Sequence, residues 1–321
     1  MVRRIRWMAT AAFIAVIGAG QILTLQALDA RFKDADGDLV ADVPTDPKDH
    51  IDPPVLIFAY TPVEDPAVYA KVWDGFLKHM EKLTGKRVQF FPVQSNAAQI
   101  EAMRAGRLHV AGFNTGATPL AVNCAGFVPF TMMSTKDGTY GYQMEIVTYP
   151  GSGIDKVGDL KGKKMAFTAE TSNAGFKAPS AILRDKFGLE VGKDIEPVFS
   201  GKYDNSVLGV ANKDYPAAAV ANSVLRRMIA RGVVKKEQVK SIFTSESFPT
   251  TAYGTVYNLK LELARKIQEA FLTFPWEGSA LLNEFKNNEP PVDHFLKINY
   301  KQHWQIIRDI DAALNVAYAC K

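Results

Sequence analysis

Apolar residues fall in short blocks along this chain, and the spacing inside the blocks switches between two periods. The run VLIFAY at 55–60 is apolar throughout and follows two prolines, which predicts a buried strand. Residues 66–83 instead place Val68, Val72, Trp73, Phe76, Met80 and Leu83 at three- and four-residue steps, which predicts an amphipathic helix closed by Gly85. Strand, helix and strand follow at 88–93, 97–105 and 110–113. That β-α-β-α-β order implies a parallel sheet with right-handed crossovers. A second series begins near 159, with strands at 164–168, 196–199 and 217–221 and helices at 175–187, from 205, and at 223–231. Segments 140–149 and 241–257 are strand-rich and are expected to carry the chain between two units. Residues 260–274, 279–285 and 302–317 read as helices returning to the first unit.

Ligands of such sheets bind beyond the C-terminal strand ends. Polar turns stand at those places: Tyr60-Thr61, Asn114-Thr115, Thr171-Ser172-Asn173, and the segment ending in Tyr203-Asp204. The stretch TAETSNAGFKAP at 168–179 puts hydroxyl and amide side chains between a strand and a helix start. Free backbone N–H groups and the positive end of a helix dipole at such a place suit a small oxyanion. Singly, each residue has a plainer reading. Thr171 and Ser172 can cap a helix, Tyr60, Trp73 and Tyr203 can be core aromatics, and Asp204 can be a solvated or capping carboxylate. The coincidence of four polar turns at strand ends favours a clamp closing on a ligand.

Composition narrows the function. In 321 residues, 47% are hydrophobic and 22% charged, ordinary for a globular protein long enough for two compact units. A net charge of +4 with no basic block argues against nucleic-acid binding. The five histidines are scattered, and no nucleophile–base pair or metal-ligand spacing accompanies the turns, so neither an enzyme, a cofactor nor a metal is expected. The start is distinctive: Arg3, Arg4 and Arg6 precede an uncharged run at 7–25 and small residues near 26–27. That is the form of a secretory signal peptide, here assigned to 1–27 with cleavage after Ala27; a retained membrane anchor is the alternative. Export to the periplasm or the extracytoplasmic face of the membrane is expected in either case.

Residues 28–54 are acidic and proline-punctuated and are read as a solvated linker. Asp34, Asp36, Asp38 and Asp42 resemble the start of a calcium loop but lack its terminal glutamate. Two cysteines remain, Cys124 and Cys320. They can pair in an oxidising compartment, Cys124 can be a small buried residue, or its thiol can serve as a soft ligand.

Five segments resemble periplasmic substrate-binding proteins of the phosphonate/phosphite type, in the type II solute-binding fold. They are LIFAYTPVED (56–65), VAGFNTGATPLAV (110–122), DLKGKKMAF (159–167), TSNAGFKAPSAIL (171–183) and FSGKYDNSVLGV (199–210). The resemblance implies an α/β clamp of two lobes, the first from 55–145 and 248–321, the second from 146–247. It implies ligand contacts at Tyr60, at Asn114 and Thr115, and at the serine-rich turn that corresponds to Ser172, Asn173, Ala174 and Gly175; Thr61 and Thr171, from the polar turns, are expected to join them. Tyr203 and Asp204 stand where the family often has histidine and glutamate, and Pro216 where it often has an acidic contact. These departures argue against an aminoalkylphosphonate, whose ammonium wants carboxylates. They favour phosphite, hypophosphite or a simple phosphonate, with Tyr60, Trp73, Tyr140 or Tyr203 closing over an apolar P–H or P–CH₃ face. Asp204 is expected to accept the proton of a protonated oxyanion. A monomer that delivers its ligand to an ABC transporter permease is the expected role. The alternative is an arsenite or other oxyanion sensor that signals to a sensor-kinase ectodomain through a site containing Cys124.

Overall fold

The computed structural model describes residues 28–320. The signal-peptide and anchor readings of 1–27 lie outside the described residues. Among those described, no helix is long and apolar enough to cross a membrane.

Two sheets form, each with helices against it. Chain order in the first series is β1 (Val55–Tyr60), α1 (Pro66–Thr84), β2 (Arg87–Phe90), α2 (Asn96–Arg104), β3 (Val110–Phe113), α3 (Thr118–Ala125) and β4 (Phe127–Ser134). The second unit holds β5 (Tyr142–Thr148), β6 (Lys164–Phe167), α4 (Ala178–Phe187), β7 (Glu196–Phe199), α5 (Tyr203–Ala211), β8 (Ala217–Ala221), α6 (Asn222–Ala230) and β9 (Lys240–Phe248). The chain then supplies β10 (Ala252–Val256), α7 (Leu261–Leu272), α8 (Ala280–Phe285), β11 (His294–Lys297), α9 (Tyr300–His303) and α10 (Gln305–Ala313). The first sheet runs β11-β4-β10-β3-β1-β2 and the second β7-β6-β8-β5-β9. In the first, β1 is parallel to β2 and β3; in the second, β6 is parallel to β7 and β8. Both sheets are completed by antiparallel strands, so β10 returns between β3 and β4 while β5 lies between β8 and β9. Crossings at 135–141 and 249–251 join the lobes.

Helix α1 shows how pattern becomes packing. The Asp65 side chain accepts from the Ala67 N–H at 3.0 Å to cap its start, and Gly85 in the left-handed region ends it. Tyr69, Trp73, Phe76, Leu77 and Met80 face the core, whereas Val68 turns to solvent. Trp73 packs 4.8 Å from Phe58 and 5.4 Å from Tyr60 between ring centroids, so it is core and not part of a ligand box. Gln99 of α2 donates to the Gly112 carbonyl at 3.0 Å, pinning the end of β3 where the Asn114 turn begins.

Two expectations change. Residues 28–54 lie against the first lobe: Val40 and Ala41 are buried, Asp29 N–H donates to Asn123 O at 3.1 Å, and Ile51 pairs with Leu259. The aspartates there accept from their own turn, Asp34 from the Asp38 and Leu39 N–H groups and Asp42 from Ala35. These bonds shape the turn, and one carboxylate oxygen of each of Asp34, Asp36 and Asp42 lies within 4.8 Å of the others. The free-thiol reading of Cys124 is overturned, because Cys124 forms a disulfide with Cys320, Cα atoms 5.2 Å apart. With its sulfur committed to that bond, Cys124 has no thiolate to offer a ligand.

Candidate functional site

The strand-end turns of both sheets converge on one crevice. Its main cavity, about 40 Å³, is lined from the first lobe by Tyr60, Asn114 and Thr115 and from the second by Tyr142, Tyr203 and Arg227. A smaller hollow of about 20 Å³ adjoins it, bordered by Asn114, Ser172, Lys202 and Tyr203. A cavity holds a water at roughly 10–15 Å³, so the main one has room for a few waters or one small tetrahedral ion. A wider hollow of about 520 Å³ lies behind the Ser172 turn, between Phe176 and the tail around Val316. Its buried cation, Lys177, is already paired with Asp311 at 2.8 Å and donates to Gly116 O at 3.0 Å. The converging turns make the 40 Å³ cavity the candidate site.

The lobes are in contact around it. Tyr203 N–H donates to Val63 O at 3.1 Å, Asp65 N–H to Asp204 Oδ2 at 3.1 Å, Asn96 Nδ2 to Thr171 Oγ1 at 2.7 Å, and Lys202 Nζ to Gln94 Oε1 at 2.8 Å. The turns approach so closely that Gly116 has no room for a side chain: a Cβ there would stand 2.3 Å from Thr171 O and 2.5 Å from Asn173 N.

Of the residues singled out in the sequence, Tyr60, Asn114, Thr115 and Tyr203 line the main cavity and Ser172 the smaller hollow. Thr61 is buried one step back and accepts from Asn114 Nδ2 at 3.1 Å. Asn114 Nδ2 also donates to Asn96 Oδ1 at 2.7 Å, and Thr115 Oγ1 donates to Pro249 O at 2.7 Å. Ser172 Oγ accepts from Gly175 N–H at 3.1 Å and meets the Tyr203 hydroxyl at 2.8 Å. Asn173 is turned away from the cavity and donates to the Tyr142 hydroxyl at 3.0 Å. Thr171 and Asp204 serve the lobe–lobe bonds just described. Tyr140 stands apart, 38% exposed, its ring 5.7 Å from that of His303.

The turn itself is not the plain helix start the sequence suggests. Asn173–Lys177 makes one wide π-type turn, with Lys177 N–H bonding to Ser172 O, before α4 begins at Ala178. Gly175 O is taken by Thr168 N–H at 3.0 Å, and Pro179 has no N–H to compete for it. Gly175 is forced, since a Cβ would lie 1.9 Å from Thr168 Oγ1.

Sequence reasoning missed the charges. Arg227, 3% exposed, reaches across from α6 to Glu64 at 3.5 Å and Glu284 at 3.3 Å, and donates to Asn288 Oδ1 at 2.6 Å and Tyr69 OH at 3.2 Å. Arg231 joins the same two glutamates, bonding to Glu64 Oε2 and lying 3.2 Å from Glu284. Two cations of the second lobe thus meet two carboxylates of the first. Burial alone would lower the Arg227 pKa, but Tyr69, Glu64, Tyr60 and Glu284 outweigh it and the guanidinium is held more firmly protonated than usual. Burial raises the Tyr60 phenol to about 12 and raises those of Tyr142 and Tyr203 as well. The cavity therefore presents neutral hydroxyls and amides beside an arginine whose charge is already balanced. Such a lining offers polar groups to an acceptor and no carboxylate to an ammonium group.

A protein-family model for periplasmic substrate-binding proteins of phosphonate ABC transporters matches residues 58–294, well over half of the chain. The chain belongs to this family. It is 28% identical over 229 residues to the phosphate-import protein PhnD of Mycolicibacterium smegmatis, covering 68% of this chain and 71% of that one. To the phosphonates-binding periplasmic protein of Escherichia coli it is 25% identical over 206 residues, 63% of this chain and 61% of the relative. Among solved structures it resembles PhnD1 of Prochlorococcus marinus in complex with methylphosphonate, with a TM-score of 0.73 at 16% identity, covering 83% of this chain and all (100%) of that one. It also resembles a binding-protein component of a phosphonate ABC transporter from Pseudomonas aeruginosa, with a TM-score of 0.72 at 22% identity, covering 81% and 86% of the two chains. The fold is that of the type II periplasmic binding proteins.

Proposed function

We propose that this protein binds one small tetrahedral phosphorus oxyanion (phosphite, hypophosphite or a simple phosphonate) between its lobes and delivers it to an ABC transporter permease, as a monomer and without catalysing a reaction. The observation that carries this reading is the size and lining of the interlobe cavity: about 40 Å³, walled by hydroxyl and amide side chains from both lobes with Arg227 beside them and no carboxylate. Ligand binding in such a clamp favours the closed state because only that state engages both sets of turns. The basic and apolar pattern of residues 1–27 supports export by a signal peptide.

The name of the Mycolicibacterium relative adds phosphate to the ligands to be tried. Calorimetry on the purified protein with phosphite, hypophosphite, methylphosphonate, aminoethylphosphonate and phosphate tests the proposal. The expected result is tight binding of one or more of the smaller oxyanions and weak binding of aminoethylphosphonate, which the cavity has neither the room nor the carboxylate to hold. Preference for aminoethylphosphonate would refute the size argument.

A further inference from the structure

Behind the cavity, the polar turns of the two lobes meet a third body, the C-terminal stretch of the chain. That stretch is tied to the first lobe at both ends: Trp304 Nε1 donates to Thr115 O at 3.0 Å, and Cys320 is bonded to Cys124 of α3. Between those ties α10 carries Asp311, fully buried, whose Oδ2 accepts from the Tyr318 hydroxyl at 2.8 Å. Asp311 Oδ1 stands 2.8 Å from Nζ of Lys177, a residue of the second lobe. The same ammonium donates to Gly116 O at 3.0 Å, the carbonyl next to the one that Trp304 holds. Lys177 is thus a cation of the second lobe seated in a socket of the first, walled by Asp311 and Gly116 O. Neither Lys177 nor Asp311 lines the ligand cavity. Apolar packing between α10 and α4 is incomplete: a hollow of about 260 Å³ lies between Ile306 and Ile310 on one helix and Ala181 and Ile182 on the other. Polar contacts, Lys177 to Asp311 and Arg184 to Ala313 O at 3.2 Å, bridge the two elements there. Lys177 also ends the wide turn, its N–H bonded to Ser172 O at 3.0 Å, so the position of its side chain bears on the turn itself.

We propose that Asp311 is a positioning residue of the clamp: acting through Lys177, it sets how closely the second lobe's Ser172–Lys177 turn is drawn to the first lobe's Asn114–Gly116 turn, and hence the affinity for a ligand held between them. This rests on the interlobe oxyanion reading above and adds to it a control remote from the ligand. A buried ammonium needs a counter-charge, and Gly116 O alone does not supply one. Burial pushes the Lys177 pKa below the usual lysine value even with Asp311 beside it. Without the carboxylate, the seated ammonium is uncompensated while the lobes are together. Parting the lobes lets water reach it and relieves that cost. The loss of Asp311 therefore falls on the closed state, whose population drops, and apparent affinity drops with it.

The test measures affinity for phosphite, hypophosphite, methylphosphonate and phosphate in the unmodified protein, Asp311→Asn, Lys177→Met and the double variant, together with their ligand-free melting temperatures. Asp311→Asn should bind the tightest of the four roughly a hundredfold more weakly. Adding Lys177→Met removes the stranded ammonium, so the double variant should regain at least about tenfold of that loss. A merely structural role would lower the melting temperature and leave the affinity of the folded protein in place. Affinity of Asp311→Asn within about twofold of the unmodified protein, or losses that simply add in the double variant, would overturn the inference. If Asp311→Asn does not fold, hydrogen exchange on the unmodified protein decides. Saturation with the same oxyanion should slow exchange at 173–177 and 309–318 together, and unchanged exchange in both segments would overturn the inference. Failure of the unmodified protein to bind any of the four oxyanions would overturn the oxyanion reading itself, and this inference with it.

Discussion

Arg227 carries more than any other residue outside the strand-end turns. It is buried, shares Glu64 and Glu284 with Arg231, borders the ligand cavity and lies 5.2 Å from the Phe285 ring centroid. Removing one partner of a buried ionic group costs about 3–5 kcal/mol, because the remaining charge is left uncompensated. Arg227→Met should approach the lower end of that range, since Arg231 still faces both carboxylates, and urea unfolding measures it. An unchanged midpoint would mean that the cluster is solvated in solution. His109 gives a second residue-scale expectation. Its Nδ1 accepts the Ile57 N–H at 3.1 Å, and burial lowers its pKa below the usual 6.5. A depressed folded-state value means that the unfolded chain binds the proton more readily. Its contribution to stability is therefore present above about 6.5 and lost as pH falls through the lower folded value. His109→Gln, which keeps an acceptor, should flatten the fall in melting temperature between neutral and mildly acidic pH; parallel curves for the two proteins would exclude this role.

At the scale of elements, the strands were the most legible part of the sequence. Continuous apolar runs at 110–113 and 217–221 become β3 and β8 with those limits, because burial on both faces leaves no polar position to blur them. The turn at Asn173–Lys177 was legible as a place but not as a shape, since the Thr168–Gly175 hydrogen bond that widens it links a strand end to a glycine carbonyl. Arg227 was illegible for a related reason. Arg226 and Arg227 on a short amphipathic helix look like a solvated face, and only partners brought in by the fold, Glu64 and Glu284, bury one of them. The C-terminal pairing depended on the same kind of distance. Helix α10 packs against the second lobe through Asp311 to Lys177 of the Asn173–Lys177 turn and Ala313 O to Arg184 of α4, while Cys320 ties the tail to Cys124 on α3 of the first. Residues beyond α9 thus strap the two lobes together behind the cleft. With the cysteines 196 positions apart in sequence, the bond restricts a long stretch of unfolded chain. Cys320→Ser should cost about 2–5 kcal/mol in chemical unfolding. A loss well below 1 kcal/mol would show that the strap is held by the α10 contacts alone.

For the whole molecule, the decisive property is whether the lobes close on the ligand, and Gly116 offers a way to block closure without touching a cavity donor. Gly116 belongs to the first lobe; the atoms its missing Cβ would strike, Thr171 O and Asn173 N, are backbone of the second. Backbone cannot swing aside as a flexible side chain does, so the added methyl of Gly116→Ala is relieved by moving the lobes apart. That motion would also break the Lys177 bond to Gly116 O and draw Tyr203 N–H away from Val63 O. The closed population would fall, and apparent affinity falls with the fraction of binding-competent protein. In small-angle scattering, the unmodified protein should lose radius of gyration on saturation with the tightest-binding oxyanion of the panel. Gly116→Ala should stay expanded at the same ligand concentration and bind about a hundredfold more weakly, while its ligand-free melting temperature changes little because each lobe keeps its own core. Equal compaction in the two proteins would show that the close approach of the Gly116 and Thr171 turns is dispensable for closure, and the clamp would then have to shut through the Arg227 cluster instead.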